Sequence, residues 1–464
     1  MLTTVPYTRD LVLVGGGHAH ALVLKSWGMD PLFGARLTVI NPGPMAPYTG
    51  MLPGYVAGHY ERNDLEIDLV RLCRHAGARL IFDKVSGIDR VNRKLTLEER
   101  GPVAYDVASF DIGITSKMDL RGFAKYGTGA KPLDAYAVKW RKFLHQVSQG
   151  ELAPEVAVIG GGFSGCELAM AMAFALKNIG VTPRVTLIES SSHISGGGST
   201  TKRKISAAMK ALGIEIKTGV KVSEICLDRV ILEQQPPVMA AFCVGATGGV
   251  AHDWLVQTDL PQNDGFIEID ESLSVVGDKT LFAVGDCAVM RHAIRPKAGV
   301  FAVRAAPTLH YNMRAALTGG RRKKWHPQKN YLKLVSLGGQ SAIADKFGLS
   351  FMGKFMWRWK DRIDRTFMDQ LNDLPAMVAP KPDGELAIGA LEILEAKPLC
   401  GGCGSKVGRS VLSGAVNLIA QPSGDVVTGV GDDAAVLRQP DGNFQVISTD
   451  HLRSSINDPA MMTR

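Results

Sequence analysis

The chain has 464 residues, enough for about three domains at the usual domain size. An apolar share of 45% and a charged share of 21% exclude a disordered chain, a collagen, a coiled coil and a disulfide-stapled mini-protein. The net charge of +8 is not spread evenly: Arg321 to Arg365 holds 12 Lys or Arg against three acids, and the other residues net −1. One basic segment in a neutral chain argues against a general nucleic-acid role. The N-terminal stretch lacks the basic start and apolar run of a signal peptide. No uncharged apolar run approaches the roughly 18 residues that a membrane span needs. Seven cysteines, mostly scattered through apolar stretches, suit a reducing cytoplasm. Cys73, Cys166, Cys226 and Cys243 read as core thiols.

In chain order, Leu11 to Val14 reads as a buried parallel strand, followed by Gly15, Gly16 and Gly17, a helix from His18 to Trp27, and a strand from Arg36 to Ile40. Glycines let a backbone turn tightly against a pyrophosphate, and the helix N-terminus offers it free N–H groups. The match is imperfect, because His20 stands where a third glycine belongs and Asn41 where an acid would bind a ribose. The second copy is complete. Val156 to Ile159 is a strand, Gly160, Gly162 and Gly165 have the full spacing, Glu167 follows, and the strand Arg184 to Ile188 ends in Glu189. An acid at that strand end accepts from a ribose 2′-hydroxyl and repels a 2′-phosphate, which favours NADH over NADPH. Later come a strand, Leu281 to Val284, then Gly285-Asp286, and a helix start at Lys297 to Arg304. Tyr331 to Ser336 reads as a strand and Leu349 to Leu371 as a helix in which aromatic and basic residues interleave.

Two fingerprints 145 residues apart, followed by Gly-Asp, resemble the two-dinucleotide-binding-domain flavoproteins, the pyridine nucleotide oxidoreductases. The resemblance implies an α/β fold with two Rossmann-like FAD/NAD(P)-binding domains (three-layer ββα). It places FAD on Gly15, Gly16, Gly17, Asn41, Thr115, Gly285, Asp286, Lys297 and Val300. It places NADH on Gly160, Gly162, Gly165, Glu167, Glu189 and Gly248. Thr115-Ser116 and Ala246-Thr247-Gly248 would be the crossings between domains. The helix after Lys297 would aim its dipole at the flavin; the other reading is a surface helix with Lys297 solvated. Glu167 would orient the nicotinamide or merely pack its helix. The stretch Pro47 to Gly54 lacks the cysteine pair of the disulfide reductases, so the nearest branch resembles type II NADH dehydrogenases. There the 349–371 helix would meet a membrane and a quinone; it would otherwise pack on the flavin domain or dock on another domain.

After Ala379-Pro-Lys-Pro-Asp-Gly384, Leu399 to Val407 carries Cys400-x-x-Cys403 and Lys406. A Cys-x-x-Cys pair suits zinc, a thioredoxin-like site, or a glycine-rich loop bearing a nucleophile. Strands Val426 to Val430 and Gln445 to Ser448, ending near Asp432, Asp433 and Asp450, favour the last, with Mg²⁺ bridging nucleotide phosphates. This set resembles the N-terminus of selenide, water dikinase, an α+β (AIR synthase-like) protein that uses ATP and Mg²⁺. Cys403 and Lys406 align with its catalytic residues, and Asp433 and Asp450 with its metal-binding aspartates, with Asp432 adjacent and counted in the same metal site. Ser405 and His451 depart from its pattern. The resemblance ends at Arg464, inside a continuing element, so the kinase part is expected to be truncated and inactive.

The expected organisation is a FAD-binding domain over 1–116 and 277–325, an inserted NADH-binding domain over 117–276, a small α+β interface subdomain over 326–378, a linker over 379–397 and the dikinase segment over 398–464. The expected substrates are NADH, an electron acceptor (a selenium species in the fusion reading), selenide and ATP. Rival readings are a membrane-associated NADH:quinone oxidoreductase and a nucleotide-binding scaffold for the dikinase. The expected location is cytoplasmic, with peripheral contact at the inner membrane face and homodimerisation both left open.

Overall fold

A computed structural model describes residues 6–116, 118–131, 133–375, 426–428 and 434–448. The chain opens with β1 (Arg9–Val14), α1 (His18–Met29), β2 (Ala35–Asn41), β3 (Arg79–Phe82) and β4 (Val107–Phe110). Three short antiparallel strands between 85 and 104 form a separate layer after β3. The chain then builds a second sheet from β5 (Gly127–Gly129), α2 (Leu133–Ser148), β6 (Glu155–Ile159), α3 (Phe163–Asn178), β7 (Arg184–Glu189), α4 (Ser199–Ala211), β8 (Glu215–Thr218) and β9 (Phe242–Gly245). Another antiparallel layer, between 222 and 239, follows β8. Finally β10 (Leu281–Ala283) and α5 (Gly299–Thr318) return to the first sheet.

The two sheets have the same plan. The first runs β10-β4-β1-β2-β3 and the second β5-β9-β6-β7-β8, with every pairing parallel. The four inner residues of β1, Leu11 to Val14, are buried, as a strand covered on both faces requires. The apolar run Leu168 to Leu176 forms most of α3, whose burial from 168 to 173 is complete. A helix that is apolar all round belongs in a core rather than at a surface.

The C-terminal part of this unit is an antiparallel sheet of β11 (Lys333–Leu337), β12 (Gly339–Lys346) and β13 (Leu349–Gly353), followed by α6 (Lys354–Asn372). This corrects the expected 349–371 helix. Its first five residues pair with Ala342 to Lys346 instead, and Gly353, at φ +147°, turns the chain into α6. Likewise the strand expected at Tyr331 begins at Lys333, and the helix expected from Lys297 begins at Gly299. Among the described residues no helix is long and apolar enough to cross a membrane.

The chain divides after Pro375. Beyond it the described residues form an antiparallel sheet of β14 (Val426–Thr428), β15 (Ala434–Arg438) and β16 (Phe444–Ser448). The linker, Cys400, Cys403, Ser405, Lys406, Asp432, Asp433, Asp450 and His451 lie outside the described residues. Of the thiols read as core, Cys73, Cys166 and Cys243 are buried, and burial pushes each up to about 12. Cys226 is only half-buried.

Trp140 of α2 joins the two nucleotide-fold domains. Its ring packs on Phe143 and on Phe242 of β9, and its Nε1–H donates to Val56 O at 3.2 Å. Trp140→Ala should lower unfolding stability by ~3–5 kcal/mol in a urea titration, the usual cost of deleting a buried large aromatic.

Candidate functional site

The two glycine turns share their opening geometry. Gly15 (φ +87°) and Gly160 (φ +111°) leave their strands in the left-handed region. Each lies against the next strand's end: a Cβ at Gly15 would sit 2.6 Å from Asp111 O, and one at Gly160 2.8 Å from Ala246 O. The following amide is tied to the end of the neighbouring strand. Gly16 N–H donates to Asn41 Oδ1 at 3.0 Å, and Gly161 N–H to Glu189 Oε2 at 2.5 Å. Asn41 is therefore the neutral counterpart of Glu189. Burial disfavours the Glu189 charge, but the Ser191 and Gly161 amides outweigh it and hold the carboxyl below its usual range.

The third position explains the imperfect motif. In the second turn a Cβ at Gly165 would collide with the Gly160 carbonyl oxygen, so only hydrogen fits. In the first turn His20 occupies that position and uses the same carbonyl. Its Nδ1–H donates to Gly15 O at 2.7 Å, and its Nε2 accepts from Ser109 Oγ of β4 at 2.8 Å. The ring is fully buried and neutral, because burial takes its pKa down to about 4 against the pull of Gly15 O.

Asp111, at the end of β4, was not singled out by sequence, although an acid closing a buried strand is itself a signal. Its Oδ2 accepts from the Ala19 and His20 amides at 2.9 and 3.2 Å, capping α1 from inside the protein. The amides of Gly17 and His18 keep no partner among the described residues, nor do those of Gly162 and Phe163 in the second turn. Both turns thus present two outward N–H groups at a helix N-terminus, the donor set that suits a phosphate.

The other expected residues gather around the first turn. Asp286 forms an ion pair with Lys131 at 3.2 Å. Thr115 pairs with Val250 across the domain crossing, two residues beyond Gly248. Gly299 and Val300 open α5, and a Cβ at Gly299 would sit 2.9 Å from His18 Nδ1. Lys297 lines a pocket together with Gly285 and Asp286, and its Nζ donates to Ala288 O at 2.9 Å and lies 3.7 Å from the Phe266 ring centre. Its side chain is thus largely buried and partnered rather than freely solvated.

The wall of the site comes from three separate stretches. Tyr48 stacks on Phe367 of α6 at 4.7 Å, and His18 packs on both rings. Tyr48 OH donates to Asp364 Oδ1 at 2.9 Å, and Lys360 Nζ reaches Asp364 Oδ2 at 2.6 Å and Gly50 O at 2.8 Å. Glu167 Oε1 accepts from Ser336 N at 2.6 Å. Burial pushes the Glu167 carboxyl up to about 7, although the Lys360 charge and the Ser336 amide pull it down. Among the described residues no cluster of His, Cys, Asp or Glu could hold a metal.

His20→Ala should cost about 2–4 kcal/mol in thermal or urea unfolding, because it opens a buried space and orphans the Ser109 hydroxyl and the Gly15 carbonyl.

The family model described as pyridine nucleotide-disulphide oxidoreductase matches residues 9–312. Two NADH dehydrogenase-like proteins from Mycobacterium tuberculosis strains are each 30% identical over 227 residues, covering 47% of this chain and 56% of theirs. The chain therefore spans little more than half the length of these relatives. Demethylphylloquinone reductase NdbB of Synechocystis is 26% identical over 299 residues, covering 61% of this chain and 72% of that protein. Among solved structures, the sulfide:quinone oxidoreductase of Aquifex aeolicus has a TM-score of 0.66 at 18% identity, over 79% of this chain and 92% of that one. NDH2 of Plasmodium falciparum has a TM-score of 0.65 at 14% identity, over 79% and 99%. These structures share the fold. With its duplicated glycine turn and a match running from β1 through most of α5, the chain belongs to the pyridine nucleotide-disulphide oxidoreductase family.

Proposed function

We propose that this chain is an FAD-dependent NADH oxidoreductase that binds FAD at the first turn and NADH at the second. The observation that carries the reading is the duplicated turn with unlike ends, neutral Asn41 in one copy and charged Glu189 in the other. When bound, FAD would accept a hydride from NADH and pass the electrons to an acceptor. The chain's own residues bind and orient. The Gly17 and His18 amides suit the FAD diphosphate, with Gly15 and Gly16 shaping the turn and Asn41 at the ribose. Asp286 suits the ribityl hydroxyls, and the α5 N-terminus at Gly299 and Val300 suits the electron-rich edge of the flavin. Thr115 lines the crossing, and Lys297 contributes through its backbone.

On the other side, Gly160, Gly162 and Gly165 fit the NADH diphosphate, Glu189 its ribose and Gly248 its path across the domain crossing. Glu167, buried beside the α6 wall, faces the nicotinamide end. His18, Tyr48 and Phe367 keep water from the space between. The acceptor is a quinone-type compound on the strength of the NADH dehydrogenase-like and demethylphylloquinone reductase relatives. A peripheral membrane contact is favoured by the apolar strip at β13 and the start of α6. Phe347, Leu349, Phe351 and Phe355 are 71%, 63%, 62% and 71% exposed there, beside Lys346, Lys354 and Arg358.

The second unit we assign to the start of a selenide, water dikinase. The support is its motif alone: Cys403 and Lys406 as catalytic residues, and Asp432, Asp433 and Asp450 as Mg²⁺ ligands for ATP. A selenium compound is then a second candidate acceptor.

The purified protein should carry one FAD per chain and oxidise NADH when a short-chain quinone is added. A protein that binds no flavin, or whose NADH oxidation no quinone or selenium compound accelerates, contradicts the reading. Glu189→Gln keeps an oxygen for the Gly161 amide but removes the charge. It should raise kcat/KM for NADPH relative to NADH by roughly tenfold, the scale of removing one charge repulsion near 2′-phosphate.

A further inference from the structure

The two turns also differ at the strand end behind the first glycine. Asp111 in the first occupies the place of Ala246 in the second: Asp111 N donates to Val14 O at 2.9 Å, and Ala246 N to Ile159 O at 2.8 Å. Resting on the assignment of FAD to the first turn, we propose that the Asp111 carboxyl carries a proton whenever the FAD diphosphate is bound, so that FAD binding takes up a proton.

The geometry leaves the ionised carboxylate little support. Its residue is 4% exposed and has no ion-pair partner among the described residues. Oδ2 has the two α1 amides, whereas Oδ1 lies against the Gly285 backbone, 2.6 Å from where a Cβ would stand, and accepts no hydrogen bond among the described residues. The next residue, Asp286, adds a second negative charge nearby. A diphosphate on the Gly17 and His18 amides would add a third at the same helix end. The α1 dipole and its inner amides can favour one such anion, but it cannot offset three.

Without the ligand, burial already pushes the Asp111 carboxyl up to about 7, against the His20 and Ala19 amides and with the Asp286 charge. The bound diphosphate raises it further. Below pH 7 both states hold the proton and FAD affinity is flat. Above pH 7 only the bound state holds it, and affinity falls by up to about tenfold per pH unit. The other groups facing this space are accounted for. His18 and His20 are neutral, lowered to about 4 by burial. Asp286 is paired with Lys131, Lys297 is turned to Ala288 O, and burial pushes the Cys287 thiol up to about 12.

The test is FAD titration of the flavin-stripped full chain, followed by quenching of FAD fluorescence, between pH 6 and 9. Wild type should lose affinity above pH 7. Asp111→Asn, a neutral isostere, should show a much flatter profile, whatever its affinity at pH 6. If Asp111→Asn fails to fold, calorimetry of the wild type at pH 8 in phosphate and in Tris buffer reads the protons directly, with about one taken up per FAD expected. A flat wild-type profile, equal profiles for the two proteins, or zero proton uptake overturns the inference while leaving FAD at the first turn. Failure to bind FAD at any pH overturns both.

Discussion

One close approach governs the whole nucleotide-binding half of this protein. A helix N-terminus is pressed against the end of its own strand, and the carbonyl of the first glycine points at the helix's third position. Whatever stands there must either vanish or hydrogen-bond. In the second turn Gly165 vanishes. In the first, His20 bonds with one ring nitrogen and reaches Ser109 with the other. Either solution keeps the next two amides facing outward, and those amides are what the site offers a phosphate.

Because the unit is duplicated, each copy serves as the control for the other. The amide after the first glycine ends on Asn41 in one copy and on Glu189 in the other, so the same scaffold presents a neutral and a charged ribose partner. The strand that crosses behind the turn ends in Asp111 in one copy and Ala246 in the other. The first copy therefore spends a buried acid on its own helix, and the second leaves its helix uncapped. The α6 wall then closes the space from outside the duplicated unit, through the Lys360, Asp364 and Tyr48 contacts.

Much of this was legible in the residues. The glycine spacings, the flanking buried strands and the acid ending β7 are local patterns, and they locate both turns from sequence alone. The departures were harder. His20 read as a flaw because its value depends on Ser109, 89 residues away. Asp111 gave no motif; its role depends on β4 lying beside β1. The direction of Lys297 was decided by Phe266 and Ala288, which sequence does not bring near it. At Leu349 to Gly353, the apolar residues Leu349, Phe351 and Met352 are too few to separate a strand from the first turn of a helix, and pairing with β12 decides it.

The central claim is that the two turns hold two different dinucleotides. A crystal structure of the protein with FAD and NADH tests it most directly. The account predicts the FAD diphosphate on the Gly17 and His18 amides with Asp286 at the ribityl chain, and the NADH diphosphate on the Gly162 and Phe163 amides with Glu189 at the ribose. FAD seated on the second turn, or no dinucleotide on the first, would contradict it.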